Sequence, residues 1–383
     1  MSGILLNLLA ARTGGQVTRA EAFLFRFRNY APNVRLVIIK ECGTMPFIDR
    51  VPHWSVYNVR VSRGYFKYPQ RFIWENLMLT KVIASEGLDT YLTFSHRLPF
   101  FLPKNVFTVL GVSNLEPFSE NAWKIQNNLA RLRLLILRYT IIKFSRKANL
   151  VICLSKTCKN ALIDRGIFNS KIKVIPNGVD FKSCITNHSI QPKYASEYPY
   201  ILTVSHFYRY KNFETLIHAF YSLCCNSNNT LKHKLIIVGK SYDKAYYEEI
   251  NNLIANLGLK DKVIIIPGLE RDALNAVYKK ASIFVFTSLV ENCPNILLEA
   301  MAHSLPIISS DAAPMPEFGG DAVDYFNHFS TSDLAQKLSV LINDDVKAKK
   351  MRILAKRRSK EFSWDTFTKS VIDICLTSVK DKL

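Results

Sequence analysis

The feature that most constrains this chain is a series of short apolar runs that do not alternate with polar residues. They are VRLVIIK (34–40), NVFTVLGV (105–112), ANLVICLS (148–155), KIKVIP (171–176), YILTVS (200–205), KLIIVG (234–239), KVIIIPG (262–268), SIFVFTS (282–288) and LPIISSD (305–311). A strand that is apolar on both faces belongs in a parallel sheet covered by helices on either side. Helical periodicity separates most of the runs, as in FETLIHAFYSL (213–223) and YYEEINNLIANLG (246–258). Strand–helix alternation on this scale predicts an α/β fold of the doubly wound kind.

The 383 residues exceed one such domain, which typically takes about 150. The segment FKSCITNHSIQPKYASEY (181–198) is polar and aperiodic and follows the turn signal IPNGVD, so it reads as a linker. The expected division is 1–185, 195–360, and a closing helical segment, 361–383, that packs back towards the first domain. Two doubly wound domains would face each other across a cleft, because such sheets bind ligands at the carboxyl ends of their strands. The opening MSGILLNLLAARTGG lacks a basic start and its apolar run is broken by Asn7, so it reads as a buried first strand rather than a signal peptide. No apolar stretch reaches the roughly 20 residues of a spanning helix. The eight cysteines form no CxxC pair and no zinc-like spacing. They predict buried free thiols in a reducing compartment.

Charge is unevenly placed. Residues 1–190 carry 27 Lys and Arg against 10 Asp and Glu, a net +17, while residues 191–383 carry 24 against 21, a net +3. The first half therefore meets something anionic. No helix-turn-helix, finger or RNP-like motif accompanies the charge, so no nucleic-acid partner is expected. In KIQNNLARLRLLILRYTIIKFSRK (124–147), Leu129, Leu132, Leu135 and Ile136 fall at helical spacing among Arg131, Arg138, Lys143, Arg146 and Lys147. That pattern fits an ordinary helix with an apolar core face, or a basic amphipathic helix on an anionic membrane.

Four segments carry candidate chemistry. ENCPNILLE (291–299) follows the strand SIFVFTS and leads into a helix, with Pro294 suited to its first turn. Glu291 and Glu299 could be a helix-end acid and an exposed helical acid, or two carboxylates that each accept hydrogen bonds from sugar hydroxyls. VSHFYRYKNFETLIHAF (204–220) places His206, Arg209 and Lys211 between a strand end and a helix, where cations suit a diphosphate or simply meet solvent. VIPNGVD (174–180) is a sharp turn around Gly178. TGGQVTRAE (13–21) pairs Gly14 with Gly15 but matches neither GxGxxG nor a P-loop. The adjacent acids Asp344 and Asp345 read as a solvated turn.

Taken in order, VIPNGVD, VSHFYRYKN, LIIVGKS and ENCPNILLEAMAHSLPIISSD resemble the retaining GT-B glycosyltransferases of group 1, family 4-like, with the E-x7-E motif at Glu291 and Glu299. The match covers most of residues 148–330. TGGQVTR and SNLEPF (113–118) extend it more loosely into the first half. The resemblance implies two Rossmann-like domains, with a nucleotide-diphosphate sugar as donor substrate on the second. It gives catalytic roles to Glu291 and Lys211, with Arg209 and His206 beside them: Lys211 holds the donor diphosphate and Glu291 faces the donor sugar. It gives donor-binding roles to Glu299 (ribose hydroxyls), to Asn292, Cys293, Pro294 and Asn295 (sugar and diphosphate, using backbone N–H groups from all but the proline), to Gly14 and Gly15, and to Ser205. Where relatives have Gly-Arg-Leu this chain has Ser205-His206-Phe207, so the missing cation falls to Arg209 or to a protonated His206. Ser113 is a second departure, where relatives often place a His or another polar residue.

The implied chemistry needs no cofactor and no metal, since cationic side chains take the metal's place and no Asp-x-Asp motif is present. The implied acceptor is a growing bacterial surface glycan, often lipid-linked, which puts the protein in the cytoplasm or peripherally on the inner membrane face. A transferase for a soluble acceptor, or a non-catalytic nucleotide-sugar-binding partner, are the alternatives.

Overall fold

The computed structural model describes residues 3–11, 14–51, 54–61, 67–180, 199–227 and 230–380. The expected linker 181–198, Thr13 and Cys184 lie outside the described residues. The chain forms two compact units, one from 1–118, 128–177 and 364–383, the other from 119–127 and 178–363.

The first unit is built on strands β1 (Gly3–Asn7), β2 (Arg35–Glu41), β3 (Ser55–Val59), β4 (Thr90–Thr93), β5 (Phe107–Val112), β6 (Leu150–Cys153) and β7 (Ile172–Val174). They pair in parallel in the order β3-β2-β1-β4-β5-β6-β7. The second unit holds β8 (Tyr200–Val204), β9 (Lys234–Val238), β10 (Val263–Ile266), β11 (Ile283–Phe286), β12 (Ile307–Ser310) and β13 (Asp324–Phe326). Their order, again parallel, is β10-β9-β8-β11-β12-β13. Both sheets are of the doubly wound, Rossmann-like kind, and every apolar run named above contains one of their strands. In each sheet the winding reverses once, between β1 and β4 in the first and between β8 and β11 in the second. Loops at such a reversal diverge and leave a crevice at the strands' carboxyl ends.

The helices follow their apolar spacing. Phe213, Leu216, Ile217, Phe220 and Leu223 bury one face of the helix Phe213–Asn226 against the second sheet. At roughly 1.5–3 kcal/mol per buried side chain, that face outweighs any helix propensity. The helix Lys244–Asn256 starts where the Asp243 carboxylate accepts the Tyr246 amide at 3.1 Å. Asp344, expected in a solvated turn, caps the helix Asp345–Ser359 by accepting the Lys347 amide at 2.8 Å.

Residues 124–147 divide between two helices, Glu120–Ile125 and Asn128–Lys147. The longer one buries Leu134, Ile141 and Phe144, whereas Leu129, Leu132, Leu135 and Ile136 are 48–78% exposed. Those four therefore make no core face. The helix Trp364–Lys380 belongs to the first unit, where Trp364, Phe367, Val371, Ile372 and Cys375 share a core with Ile4, Leu6, Phe23 and Phe27. The thiols of Cys153, Cys158, Cys224, Cys293 and Cys375 are buried as expected, but Cys42 and Cys225 are exposed. Cys42 lies just past β2 and Cys225 in the last turn of its helix, where no core covers them. No helix among the described residues is long and apolar enough to cross a membrane.

Three motif segments meet at one side chain of the first unit. Arg19, in TGGQVTR, is buried and donates from Nε to Asn177 of VIPNGVD at 2.8 Å and from Nη1 to Ser113 at 2.7 Å. Ser113 passes its own proton to the Phe94 carbonyl at 2.9 Å. Ser113, the second departure from the family pattern, is thus a hydrogen-bonded structural residue here.

Candidate active site

The reversal between β8 and β11 brings together the loops that carry most of the predicted residues. β8 runs into Ser205, whose amide donates to the Val238 carbonyl at 2.9 Å. The approach is so close that a Cβ on Gly239 would lie 1.8 Å from the Ser205 carbonyl oxygen, so only glycine fits there. The Ser205 hydroxyl is buried and has no hydrogen-bond partner among the described residues. A polar atom left so is costly unless a ligand or water satisfies it.

The next loop ends in a 3-10 turn, Arg209–Lys211, and is laced to the loop after β11. The Leu289 amide donates to the Tyr210 carbonyl at 2.7 Å, and the Thr287 hydroxyl to the Lys211 carbonyl at 2.7 Å. This lacing fixes Lys211 against Glu291, with Nζ 2.5 Å from Oε1. The Ser288 hydroxyl donates to the same oxygen at 2.9 Å. Both side chains are mostly buried, so the pair must satisfy itself. Breaking one partner would strand the other charge, at a cost of about 3–5 kcal/mol. Tyr210 and Phe286 set ring faces 4.9 and 5.6 Å from Nζ. Glu291 takes one of the three ammonium protons, leaving two for an anion.

Asn292, Cys293 and Pro294 are buried between Glu291 and the helix Asn295–Ala302. Pro294 occupies the cap rather than the first turn. The Asn295 amide, expected to face a ligand, instead turns back to the Cys293 carbonyl at 2.9 Å. The Cys293-Pro294-Asn295 turn is too tight to present it outward. Glu299 lies one turn into the helix, with Oε1 accepting from Arg271 at 3.0 Å and Oε2 from the Tyr278 hydroxyl at 3.5 Å. The half-exposed Arg271 holds a mostly buried carboxylate in one orientation.

The other predicted cations behave differently. Arg209 turns to the exposed Glu249 of the neighbouring helix, 2.5 Å away, and lies over the Tyr246 ring. Its guanidinium is therefore engaged away from Glu291. His206 accepts the Lys240 amide on Nδ1 at 3.2 Å. Burial, then the charges of Lys211 and Lys240, push its pKa below the ordinary value. The protonated imidazole considered from sequence is thus disfavoured at neutral pH, and its Nδ1 lone pair is already in use. Gly14 and Gly15 stand in the other unit, at the start of the helix Gly15–Tyr30. Gly14 has φ +63°, so glycine is needed there for backbone conformation rather than for space. Sequence reasoning missed Ser288, Thr287, Arg271 and Tyr278. The pair Thr287-Ser288 ends SIFVFTS and was within reach, but Arg271 meets Glu299 only through the fold.

Residues 13–183 match glycosyltransferase family 4, and residues 185–358 match the glycosyl transferases group 1. The chain belongs to the GT-B glycosyltransferases. The phosphatidylinositol N-acetylglucosaminyltransferase gpi3 subunit of Schizosaccharomyces pombe is 27% identical over 207 residues, 53% of this chain and 43% of that protein. The serotype-specific mannosyltransferase WbdA of Escherichia coli is 27% identical over 186 residues, 48% of this chain and 22% of that protein. These matches span less than half the length of either relative. Among solved structures, a glycosyltransferase from Rickettsia africae superposes with a TM-score of 0.76 at 18% identity, over 99% of both chains. Anabaena HepE in complex with UDP and glucose gives 0.74 at 17%, over 99% of this chain and 100% of that one. WaaG, a glycosyltransferase involved in lipopolysaccharide biosynthesis, gives 0.71 at 14%, over 97% and 99%. At these identities the structural likeness is one of fold.

Proposed function

We propose that this protein is a retaining, metal-independent transferase that moves a sugar from a nucleotide-diphosphate donor to a growing surface glycan. The observation that carries the reading is the Lys211–Glu291 pair, braced by Ser288 at the winding reversal of the second sheet. Breaking the anomeric C–O bond leaves negative charge on the diphosphate and positive character on the sugar. A preorganised, nearly dry ammonium stabilises the first with little reorganisation. Glu291, freed in part when the diphosphate draws Lys211, faces the developing positive sugar. Glu299, oriented by Arg271, is placed to accept the two ribose hydroxyls.

Retention follows from attack on the face the leaving group vacates. The acceptor hydroxyl forms the new C–O bond as the old one breaks, and its proton passes to a donor phosphate oxygen. UDP and glucose in HepE, and the involvement of WaaG in lipopolysaccharide biosynthesis, favour this donor and acceptor class. The net +17 on residues 1–190 and the exposed apolar row of the helix Asn128–Lys147 favour a peripheral position on an anionic membrane.

The test is turnover of a panel of radiolabelled nucleotide sugars. Transfer, or slow donor hydrolysis, with one of them is expected. Nucleotide binding with neither reaction for any donor would leave a non-catalytic binder and overturn the reading. Membrane contact is expected as sedimentation with anionic liposomes that weakens with salt, and equal binding to neutral liposomes would reject its electrostatic part.

A further inference from the structure

The cations that the resemblance gives to the donor diphosphate are largely neutralised in this structure. Lys211 is paired with Glu291 and Arg209 with Glu249. Burial, then the charges of two nearby lysines, disfavours a charged His206. A diphosphate entering beside Lys211 would meet little net positive charge from these three residues. A leaving group that gains negative charge as its bond breaks needs more.

Lys240, just past β9, is the cation beside them, and its backbone is clamped. Its amide donates to Nδ1 of His206 at 3.2 Å. Its carbonyl accepts the amides of Phe207 at 3.0 Å and Tyr242 at 3.1 Å. Its stem is bedded as well. A Cβ on Gly268, just past β10, would lie 3.1 Å from Cγ and 3.2 Å from Cε of Lys240, so the stem runs across a glycine. A long side chain held along most of its length has already lost much of its freedom, and a ligand then costs it less. The ammonium at its end makes no ion pair and no hydrogen bond among the described residues.

The groups around Lys240 and Lys211 are donors. Because Nδ1 of His206 accepts the Lys240 amide, the neutral ring carries its proton on Nε2 and donates there. The charges of Lys211 and Lys240 both act on this one imidazole. The Ser205 hydroxyl, one residue earlier, is buried and has no partner among the described residues. The rings of Tyr242, Tyr208 and Tyr210 stack in a row at 5.9 and 5.7 Å, and Nζ of Lys211 lies 4.9 Å from the last of them. That row joins the Lys240 turn to the Lys211 turn. Two ammonium groups, an imidazole N–H and an unmatched hydroxyl at the ends of β8 and β9 favour an anion with several oxygens.

We propose that Lys240 is the second cation of the donor site: its ammonium holds the diphosphate together with Lys211, and His206 binds the same oxygens as a neutral Nε2–H donor. The assignment rests on the transferase reading. It restores the positive charge that Ser205-His206-Phe207 lacks where relatives have Gly-Arg-Leu, from a strand end that neither Arg209 nor His206 occupies.

Calorimetric titration of the full chain with uridine, guanosine, adenosine and thymidine diphosphates tests it. The monophosphate and the nucleoside of the tightest binder follow. Lys240→Met keeps most of the stem and removes the charge. It is expected to weaken the diphosphate about tenfold, the scale of a lost charge-assisted hydrogen bond. The uncharged nucleoside is expected to bind within about twofold of wild type, since it carries no charge for Lys240 to meet. Lys240→Arg restores the charge and is expected to restore most of the affinity. Lys240 is exposed, so both variants are expected to fold, which thermal melts check. Equal diphosphate affinity in Lys240→Met and wild type overturns this inference and leaves the donor reading standing. An equal loss for diphosphate and nucleoside also overturns it, because Lys240 would then serve the nucleoside or the loop. A wild-type chain that binds none of the four diphosphates sinks the donor reading, and this assignment with it.

Discussion

The two sheets reverse their winding in the same way, yet the crevices they open differ in how charge is arranged. At the second sheet, Lys211 and Arg271 are each matched to a carboxylate, Glu291 and Glu299, at hydrogen-bond distance. At the first, Arg71, Arg97, Arg133 and Lys143 stand around one carboxylate, Glu75, and hydrocarbon surrounds them. Matched pairs hold reactive groups in fixed orientation and give them up to a ligand that brings its own charges. A surplus pulls an anion in and holds it. The difference shows that one topology can carry either matched or one-sided charge at its winding reversal, and that the side chains decide which.

The sharpest way to break this comparison is at Lys211. Lys211→Ala is expected to lower transfer by about 100- to 1000-fold, the scale for losing one preorganised charge-stabilising donor. A rate within tenfold of wild type, measured with saturating donor, would mean that the matched pair is structural only.

The second way uses the histidines beside the two reversals. His206 and His96 both have depressed pKa values, and for His96 the value is about 4 against an ordinary 6.5. Above pH 6.5 both the folded and unfolded chain carry neutral His96. As the pH falls from 6.5 to 4 the unfolded chain binds the proton first, so stability falls, and below 4 this contribution stops changing. The full effect is about 3 kcal/mol. Denaturant melts across pH 4–7 should therefore flatten in His96→Asn, and an unchanged slope would remove His96 from the account.

Two smaller effects test the second site's framework. Gly239→Ala must displace the Ser205 carbonyl or its own strand and is expected to cost about 2 kcal/mol in thermal melts. An unchanged Tm would mean that β8 and β9 give way easily there. Glu299→Ala is expected to weaken nucleotide-diphosphate binding about tenfold, while Glu291→Ala mainly lowers transfer. Calorimetry beside kinetics separates the two, and a reversed pattern would exchange their roles.

How much of this was legible in the sequence varies with the physical cause. The buried strands were legible because apolarity on both faces is a local property. β3, β4 and β13 were not, because SVYNV, TYLT and DYF are too short or too mixed to show a period. Lys211, Glu291 and Glu299 were named as candidates through the resemblance carried by the order of the motifs. Their partners Arg271 and Tyr278 were not, since only the folded chain brings those positions to Glu299, whereas Ser288 ends SIFVFTS and was within reach. The turn of Arg209 towards Glu249 and the use of the His206 Nδ1 by the Lys240 amide depend on neighbours 40 and 34 residues away. The crevice of the first unit was visible only as a basic amphipathic stretch, and that the leucines of this stretch face outward needed coordinates.

The helix Trp364–Lys380 carries one more consequence, for the order of synthesis. Its Trp364, Phe367, Val371 and Ile372 complete a core whose other members include Ile4, Leu6 and Phe23. At roughly 5–20 residues per second on the ribosome, the start of that core waits tens of seconds for its last pieces. Through that interval the whole of the second unit is made and is free to fold. The first unit to begin is thus the last to finish, and until then the surface this helix will cover is open to chaperones or to aggregation. A fragment ending at Asn177 should behave as such an unfinished unit, and a separate peptide spanning Trp364–Lys380 should complete it.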